Sequence, residues 1–238
     1  MSLTDRAIDQ IRELIQSGAL VPGAKLPPEA TLAAELGLSR NLTREAVKSL
    51  SVAGVLEIRR GDGTYVTSLK PGILLGGLGG AVDLLQSDPR ILLELIEVRR
   101  LLEPAATALA ATRMTDQQLA ATAAHLQAMK DAGDDIELLN RHDAAFHHAV
   151  IAAAGNDSLT AVLDGIAGRT LRARIWRGVG DHQSTQRTIA EHEAILDALT
   201  RHDAPVSHAA ALLHVSSIEH WLRQHLGGPA AADPATGG

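Results

Sequence analysis

Cysteine is absent from the 238 residues. That excludes a disulfide framework and any thiolate metal site, and it points to a reducing cytoplasm. Aromatic residues are nearly as scarce, with two Trp, one Tyr and one Phe. The core must therefore be aliphatic, and abundant alanine and leucine favour helix. No apolar run reaches the roughly 18 residues of a membrane span, and the glycine-broken GILLGGLGGAV falls far short. The amino terminus lacks the pattern of a signal peptide. The expectation is a soluble, cytoplasmic protein with no membrane partner.

What remains is 45 % apolar, enough for one large domain or two smaller ones. The formal charge of −6 hides an asymmetry. Residues 1–70 hold nine Lys+Arg and eight Asp+Glu, whereas residues 71–238 hold 13 and 20. All 11 histidines lie in the second part. Two regions of different chemistry share one chain.

In residues 3–16, Ile8, Ile11 and Ile15 recur at helical spacing between charges. SGALVPGAKLPP reads as loop, and PEATLAAELG as a short helix with Pro28 at its first position and Gly37 as its stop. In LSRNLTREAVKSLSVAG, Ser39 is a good N-cap and Leu42, Ala46, Val47 and Leu50 form an apolar face. VLEIRR and TYVT read as short strands joined by GDG, a hairpin signal. Three helices and a hairpin in this order predict a winged helix-turn-helix over 1–68.

Residues 69–86 read as a linker, and every later segment reads as helix: 89–111, 115–130, 134–153, 157–177, 185–201 and 204–226. These make an all-helical second domain over 87–226, and the tail 227–238 reads as disordered. The expected fold class is mainly α, an N-terminal winged helix-turn-helix (three helices plus a β-hairpin wing) followed by an all-α helical bundle.

Arg40, Arg44 and Lys48 recur at four-residue spacing on the third helix, opposite its apolar face. Ser39, Asn41 and Thr43 sit near its N-terminus, the end that recognition helices push into the major groove. Arginine pairs bidentately with guanine and lysine neutralises phosphate. Arg59 and Arg60, at the hairpin turn with Gly61, would sit on the wing. Residues 40–60 hold five basic and two acidic residues. A solvated helix face would explain a lone R-x-x-x-R; the helix order and the wing favour DNA.

SGALVPGAKLPPEATLAAELGLSRNLTREAVKSLSVAGVLEIRRGDGTYV resembles the winged-helix domain of GntR-family transcription regulators, whose signature runs G-x-L-x-P-G-x-x-L-P-x-E, S/T-R-x-x-x-R-E-A and G-x-G-T. The match covers nearly all of residues 8–67. The resemblance implies that Arg40, Arg44 and the wing at Arg60–Gly61 contact double-stranded DNA. Ala30 stands where the family usually has a DNA-contacting arginine, and Asn41 and Leu42 replace commoner hydroxyl residues. These departures imply a different operator or a lower affinity.

In the second region, DAAFHH places Asp143 and His147 four apart, one turn apart on one helix face. They lie in line with Leu139 and Val150. His192 shares a face with Ile189, Leu196 and Leu199, and His214 with Ala210, Ile218 and Trp221. Four polar groups on the inner sides of three helices would cost about 1–3 kcal/mol each if buried unpaired. A divalent metal suits a carboxylate and neutral imidazoles. The alternative is a hydrogen-bonded Asp143–His147 pair with two satisfied core histidines. The other histidines (His125, His142, His148, His182, His202, His208, His220, His225) read as surface residues.

IEVRRLLEPAATALAA, HDAAFHHAVIAAAGNDSL and EHEAILDAL resemble the FCD effector domain of the FadR subgroup over roughly 89–224. The resemblance implies a metal held by D-x-x-x-H and one His from each of two later helices, positions filled here by Asp143, His147, His192 and His214. Zinc heads the candidates, with nickel or manganese as alternatives. Four ligands on an octahedral ion leave two adjacent positions for a carboxylate, above all a 2-hydroxy or 2-keto acid. Arg99 shares an inner face with Leu92, Ile96, Leu102 and Ala106 and would take a distal oxygen; its alternative is an intrahelical pair with Glu103. Arg169, Arg172 and Arg174 are further candidates, and Arg172 joins Arg99 as an expected effector-binding residue.

The leading expectation is a homodimeric repressor on an inverted-repeat operator, released by a small organic acid. A metal-dependent hydrolase or lyase is the rival, but it needs a general base that is not a ligand, and no H-E-x-x-H occurs. Glu191 and Glu193 flank His192 yet are expected on other helix faces. A third reading makes the metal purely structural, or the sensed species itself.

Overall fold

A computed structural model describes residues 2–74, 89–166 and 182–226. The chain divides into two compact units, Met1–Gly80 and Ala81–Gly238.

In the first unit, α1 (Leu3–Gln16) starts at a capping box in which Ser2 and Asp5 satisfy each other's backbone N–H groups. α2 (Glu29–Glu35) and α3 (Arg40–Val52) follow. Pro28 is the N-cap of α2 rather than its first helical residue, because its ψ of 142° is extended. Ser39 caps α3, its Oγ accepting from Leu42 N at 3.3 Å. β1 (Leu56–Arg59) and β2 (Gly63–Val66) pair antiparallel, Leu56 opposite Val66 and Arg59 opposite Gly63. The loop before α2 adds to this hairpin: Leu26 N donates to Thr64 O at 2.8 Å and Val66 N to Ala24 O at 2.9 Å. Ala7, Ile11, Leu32, Val47, Leu50 and Leu56 fill an aliphatic core between the helices and β1.

The hairpin is braced from outside. Lys25 Nζ lies 3.0 Å from Asp62 Oδ1, and the Tyr65 hydroxyl donates to Asp62 Oδ2 at 2.8 Å. After the hairpin comes one turn, α4 (Pro71–Leu74), the described part of the expected linker. It closes tightly on the end of α3. At Gly54 (φ +72°) a Cβ would stand 2.8 Å from Ile73 O, so only glycine fits.

In the second unit, α5 (Pro89–Arg113) runs through Pro104 without a break. α6 (Asp116–Asp131) opens with a Thr115–Gln118 capping box, and α7 (Ile136–Ala153) is capped by Asp135. α8 is described over 157–166, so the rest of the expected helix to 177 lies outside the described residues. α9 (His182–Thr200) and α10 (Ala204–Leu226) complete the bundle. The architecture is mainly helical with a small two-stranded wing, as the periodicity predicts. α5 packs along α10, α6 along α7, and α9 against α5, α6 and α10. The tail 227–238 lies outside the described residues. No helix among the described residues is long and apolar enough to cross a membrane.

Candidate metal centre and nucleic-acid interface

α7 is amphipathic by its alternation of apolar and polar faces, and its buried stripe holds Leu139, Asn140, Asp143, Phe146, His147 and Val150. Asp143 and His147 therefore enter the core together. His192 of α9 and His214 of α10 meet them there, both essentially fully buried. One ring nitrogen from each of His147, His192 and His214 lies within 4.8 Å of the others. His147 Nε2 and His192 Nε2 are 3.1 Å apart, and Asp143 Oδ1 lies 2.9 Å from His192 Nε2. Asp143 Oδ1 is 3.7 Å from His147 Nε2, too long for the intrahelical hydrogen bond of the alternative reading.

The far nitrogen of each ring is engaged. His147 Nδ1 lies 2.6 Å from Glu103 Oε1, His192 Nδ1 lies 2.7 Å from Thr188 O, and His214 Nδ1 lies 2.8 Å from Glu191 Oε2. Each such partner accepts only, so a neutral ring here would donate from Nδ1 and offer its Nε2 lone pair to a cation. With both rings neutral, the His147 and His192 lone pairs would repel each other across 3.1 Å, with Asp143 Oδ1 2.9 Å from His192 Nε2 and 3.7 Å from His147 Nε2. A cation among them relieves that repulsion, and outer partners that fix ring tautomers accompany metal-ligating histidines. Two ligands of one zinc lie no more than about 4.2 Å apart, so the 4.8 Å group fits after a shift of a few tenths of an ångström.

Glu103 serves two partners. Its Oε2 lies 2.6 Å from Arg99 Nε, and both residues are buried. Burial alone would raise its pKa, but the charge of Arg99, with the charge and hydrogen bond of His147, holds it well below the ordinary value. Arg99 points inward, only 2 % exposed, and makes the intrahelical pair with Glu103 that its alternative reading expects. Its Nη1 is buried with no hydrogen-bond partner among the described residues. Arg172, with Arg169 and Arg174, lies outside the described residues.

The helix pattern missed three groups. Glu191, expected on an irrelevant face, turns toward α10 and holds His214. Glu103 was legible only as a partner of Arg99, because its second contact is on another helix. Asn140, 5 % exposed, sits on the buried stripe three residues before Asp143, a spacing that could have flagged it. Of the histidines expected at the surface, His125 and His142 are half-buried, their Nδ1 atoms 3.3 Å apart.

In the first unit, Arg40, Asn41, Arg44 and Lys48 are exposed on α3, with Arg59, Arg60 and Gly61 exposed on the wing. Ser39 is exposed beside them. Thr43 does not belong with this set. It is 0 % exposed and its Oγ1 donates to Ser39 O at 3.2 Å, because its position falls on the packed side of α3. Several cations are already engaged: Arg44 with Glu29 (3.0 Å), Lys48 with Glu45 (2.9 Å) and Arg59 with Glu57 (2.9 Å). Arg59 also lies over the Tyr65 ring, 4.3 Å from its centroid. Arg40 and Arg60 have no such partner among the described residues.

Comparison with known proteins agrees with both units. Residues 3–66 match the family described as bacterial regulatory proteins, gntR family, and residues 94–217 match the FCD domain. The galactonate operon transcriptional repressor of Escherichia coli (strain K12) is 32 % identical over 232 residues, 94 % of this chain and 98 % of that protein. The HTH-type transcriptional regulator LutR of Bacillus subtilis (strain 168) is 31 % identical over 88 % of this chain and 96 % of its own length. Among solved structures, Streptococcus agalactiae GntR superposes with a TM-score of 0.71 at 28 % identity, covering 92 % of this chain and 99 % of that one.

Proposed function

Because the chain belongs to the GntR family of bacterial regulatory proteins and carries an FCD domain, a transcription regulator and not an enzyme, we propose that it is a repressor whose DNA grip is released by a small organic acid. The winged helix over 1–68 binds DNA, 69–86 links, and 87–226 senses. Asp143, His147, His192 and His214 hold a divalent cation, zinc before nickel or manganese. The observation that supports this reading is the set of three buried imidazoles, each tied at Nδ1, with one ring nitrogen of each within 4.8 Å of the others.

A bound cation supplies a Lewis-acidic anchor for a carboxylate. The protein supplies the rest. Glu103, Thr188 O and Glu191 keep the rings oriented, and burial excludes competing water. Arg99, its Nη1 without an acceptor, is placed to take a further oxygen of the acid; Arg172 is the second candidate. The E. coli relative is named for a galactonate operon, which favours a hydroxy acid here. DNA contact is assigned to Ser39, Arg40, Asn41, Arg44, Lys48, Arg59, Arg60 and Gly61. The protein acts in the cytoplasm as a homodimer on an inverted repeat, and pairing would cover Leu101 of α5 and Leu213 of α10, 62 % and 70 % exposed. A differential affinity of the acid for the two DNA-binding states of a few kcal/mol suffices for release.

A thermal-shift panel of lactate, pyruvate, citrate, malate and sugar acids tests this on metal-loaded protein, chelator-treated protein and Asp143→Ala. At 100 times Kd a ligand adds about 2.7 kcal/mol. A shift seen with one acid, requiring both metal and Asp143, together with loss of operator binding, is expected. Stabilisation by metal with no response to any acid would instead make the centre a structural staple across α7, α9 and α10. Tighter operator binding with the acid would reverse the predicted sign.

A further inference from the structure

The buried stripe of α7 carries one polar group that the metal centre does not use. Asn140 is 5 % exposed, and its Nδ2 has no hydrogen-bond partner among the described residues. Buried polar groups in folded chains are nearly always paired, and an unmade donor is costly. Asn140 stands three residues before Asp143 and seven before His147, so the three share one face of α7. Arg99 Nη1 is a second buried donor without an acceptor, and its guanidinium reaches His147 through Glu103. Two idle donors therefore belong to the side chains around one cluster of metal-ligating groups.

Resting on the effector reading above, we propose that Asn140 determines which acids are recognised, its Nδ2 donating to an effector oxygen that lies beyond the anchored carboxylate end. Three residues of α-helix advance about 4.5 Å. Along an extended carbon chain, that is about the distance from an acid's anchored end to an oxygen on its third or fourth carbon. The recognised class is a hydroxy acid of four or more carbons carrying such an oxygen. A three-carbon acid such as lactate has none, and leaves the Asn140 donor unmade in the bound state. Sites built to bond a ligand oxygen discriminate strongly against analogues that lack it.

The test is calorimetric titration of the metal-loaded full-length protein with D-galactonate, L-malate and L-lactate, comparing wild type with Asn140→Leu and Asn140→Ala. Metal content and helical melting of the unliganded proteins are measured alongside. Wild type is expected to bind the better of the two longer acids at least about tenfold more tightly than lactate, the scale of one well-placed hydrogen bond. Both variants are expected to retain metal and to bring that ratio within about threefold of unity, with Asn140→Leu melting no lower than wild type because its apolar side chain removes the unmade donor. Variants that keep the wild-type ratio, or a wild type that binds lactate equally well, would overturn the assignment of Asn140 while leaving the acid sensor standing. Metal-loaded wild type that binds none of the three acids would overturn the assignment of Asn140, and no response to the wider panel of acids would overturn the sensor reading as well.

Discussion

His147 Nδ1 lies 2.6 Å from Glu103 Oε1, and that contact sets which nitrogen of the ring faces His192 and Asp143. Glu103 is in turn held by Arg99. A carboxylate on α5 thus decides how an imidazole on α7 would present itself to the proposed cation, although Glu103 would not itself be a ligand.

Replacing Glu103 by Gln should weaken metal binding about 10- to 100-fold, the range for outer partners of metal-bound histidines. Competition with a chromophoric chelator reads it. Glu103→Ala should also lower stability by about 3–5 kcal/mol, since it strands the buried Arg99 charge. Unchanged metal affinity in Glu103→Gln would remove its orienting role.

Glu191→Gln should weaken metal binding by less than Glu103→Gln. Its carboxylate is 18 % exposed, against 3 % for Glu103, so water can replace it on His214 Nδ1. The same competition assay ranks the two, and a larger loss for Glu191→Gln would contradict this ordering.

On the DNA side, Arg60→Ala should lower the slope of log affinity against log salt by about one, the release of one counterion, with little change in operator preference. Thr43→Val should leave DNA affinity within about twofold, because its hydroxyl is spent on Ser39 O. Fluorescence anisotropy at several salt concentrations distinguishes them; a Thr43→Val protein with a tenfold loss would return that residue to the interface.

The wing brace carries its own pH window. The hydrogen bond to Asp62 raises the pKa of Lys25, and the bonds from Lys25 and Tyr65 lower that of Asp62. Asp62's contribution is present above its unfolded value near about 3.9 and is lost as pH falls through the lower folded value; that of Lys25 is present below about 10.4 and is lost as pH rises through the higher folded value. Tyr65 is the chain's single tyrosine. Its ring resonances should stay constant from about pH 5 to 9 and move outside the window spanned by those two values, and Asp62→Asn should shift them at neutral pH.

Much of this structure was legible in the order of residues. Apolar spacing located the helices of both units, and Ser39 announced the start of α3 because an N-cap is a local device. The inward faces of Asp143, His147, His192 and His214 were legible too, since each is fixed by its own helix. What stayed hidden needed a second helix. Glu191 was misjudged because its face is defined relative to α10, and Glu103 because its shorter-range partner Arg99 explained it too easily. Thr43 shows the reverse error: nearness to a helix start suggested DNA, while its position in the 3.6-residue repeat turned it inward.

Gly54 sits against the Ile73 carbonyl with no room for a methyl group, and Thr67 Oγ1 donates to Gly54 O at 2.8 Å. The strand that leaves the wing is therefore seated on the last turn of α3, the helix proposed to read DNA. A tug applied at Leu74 would reach α3 before it could be absorbed in the hairpin, so the reading head has a handle at its rear.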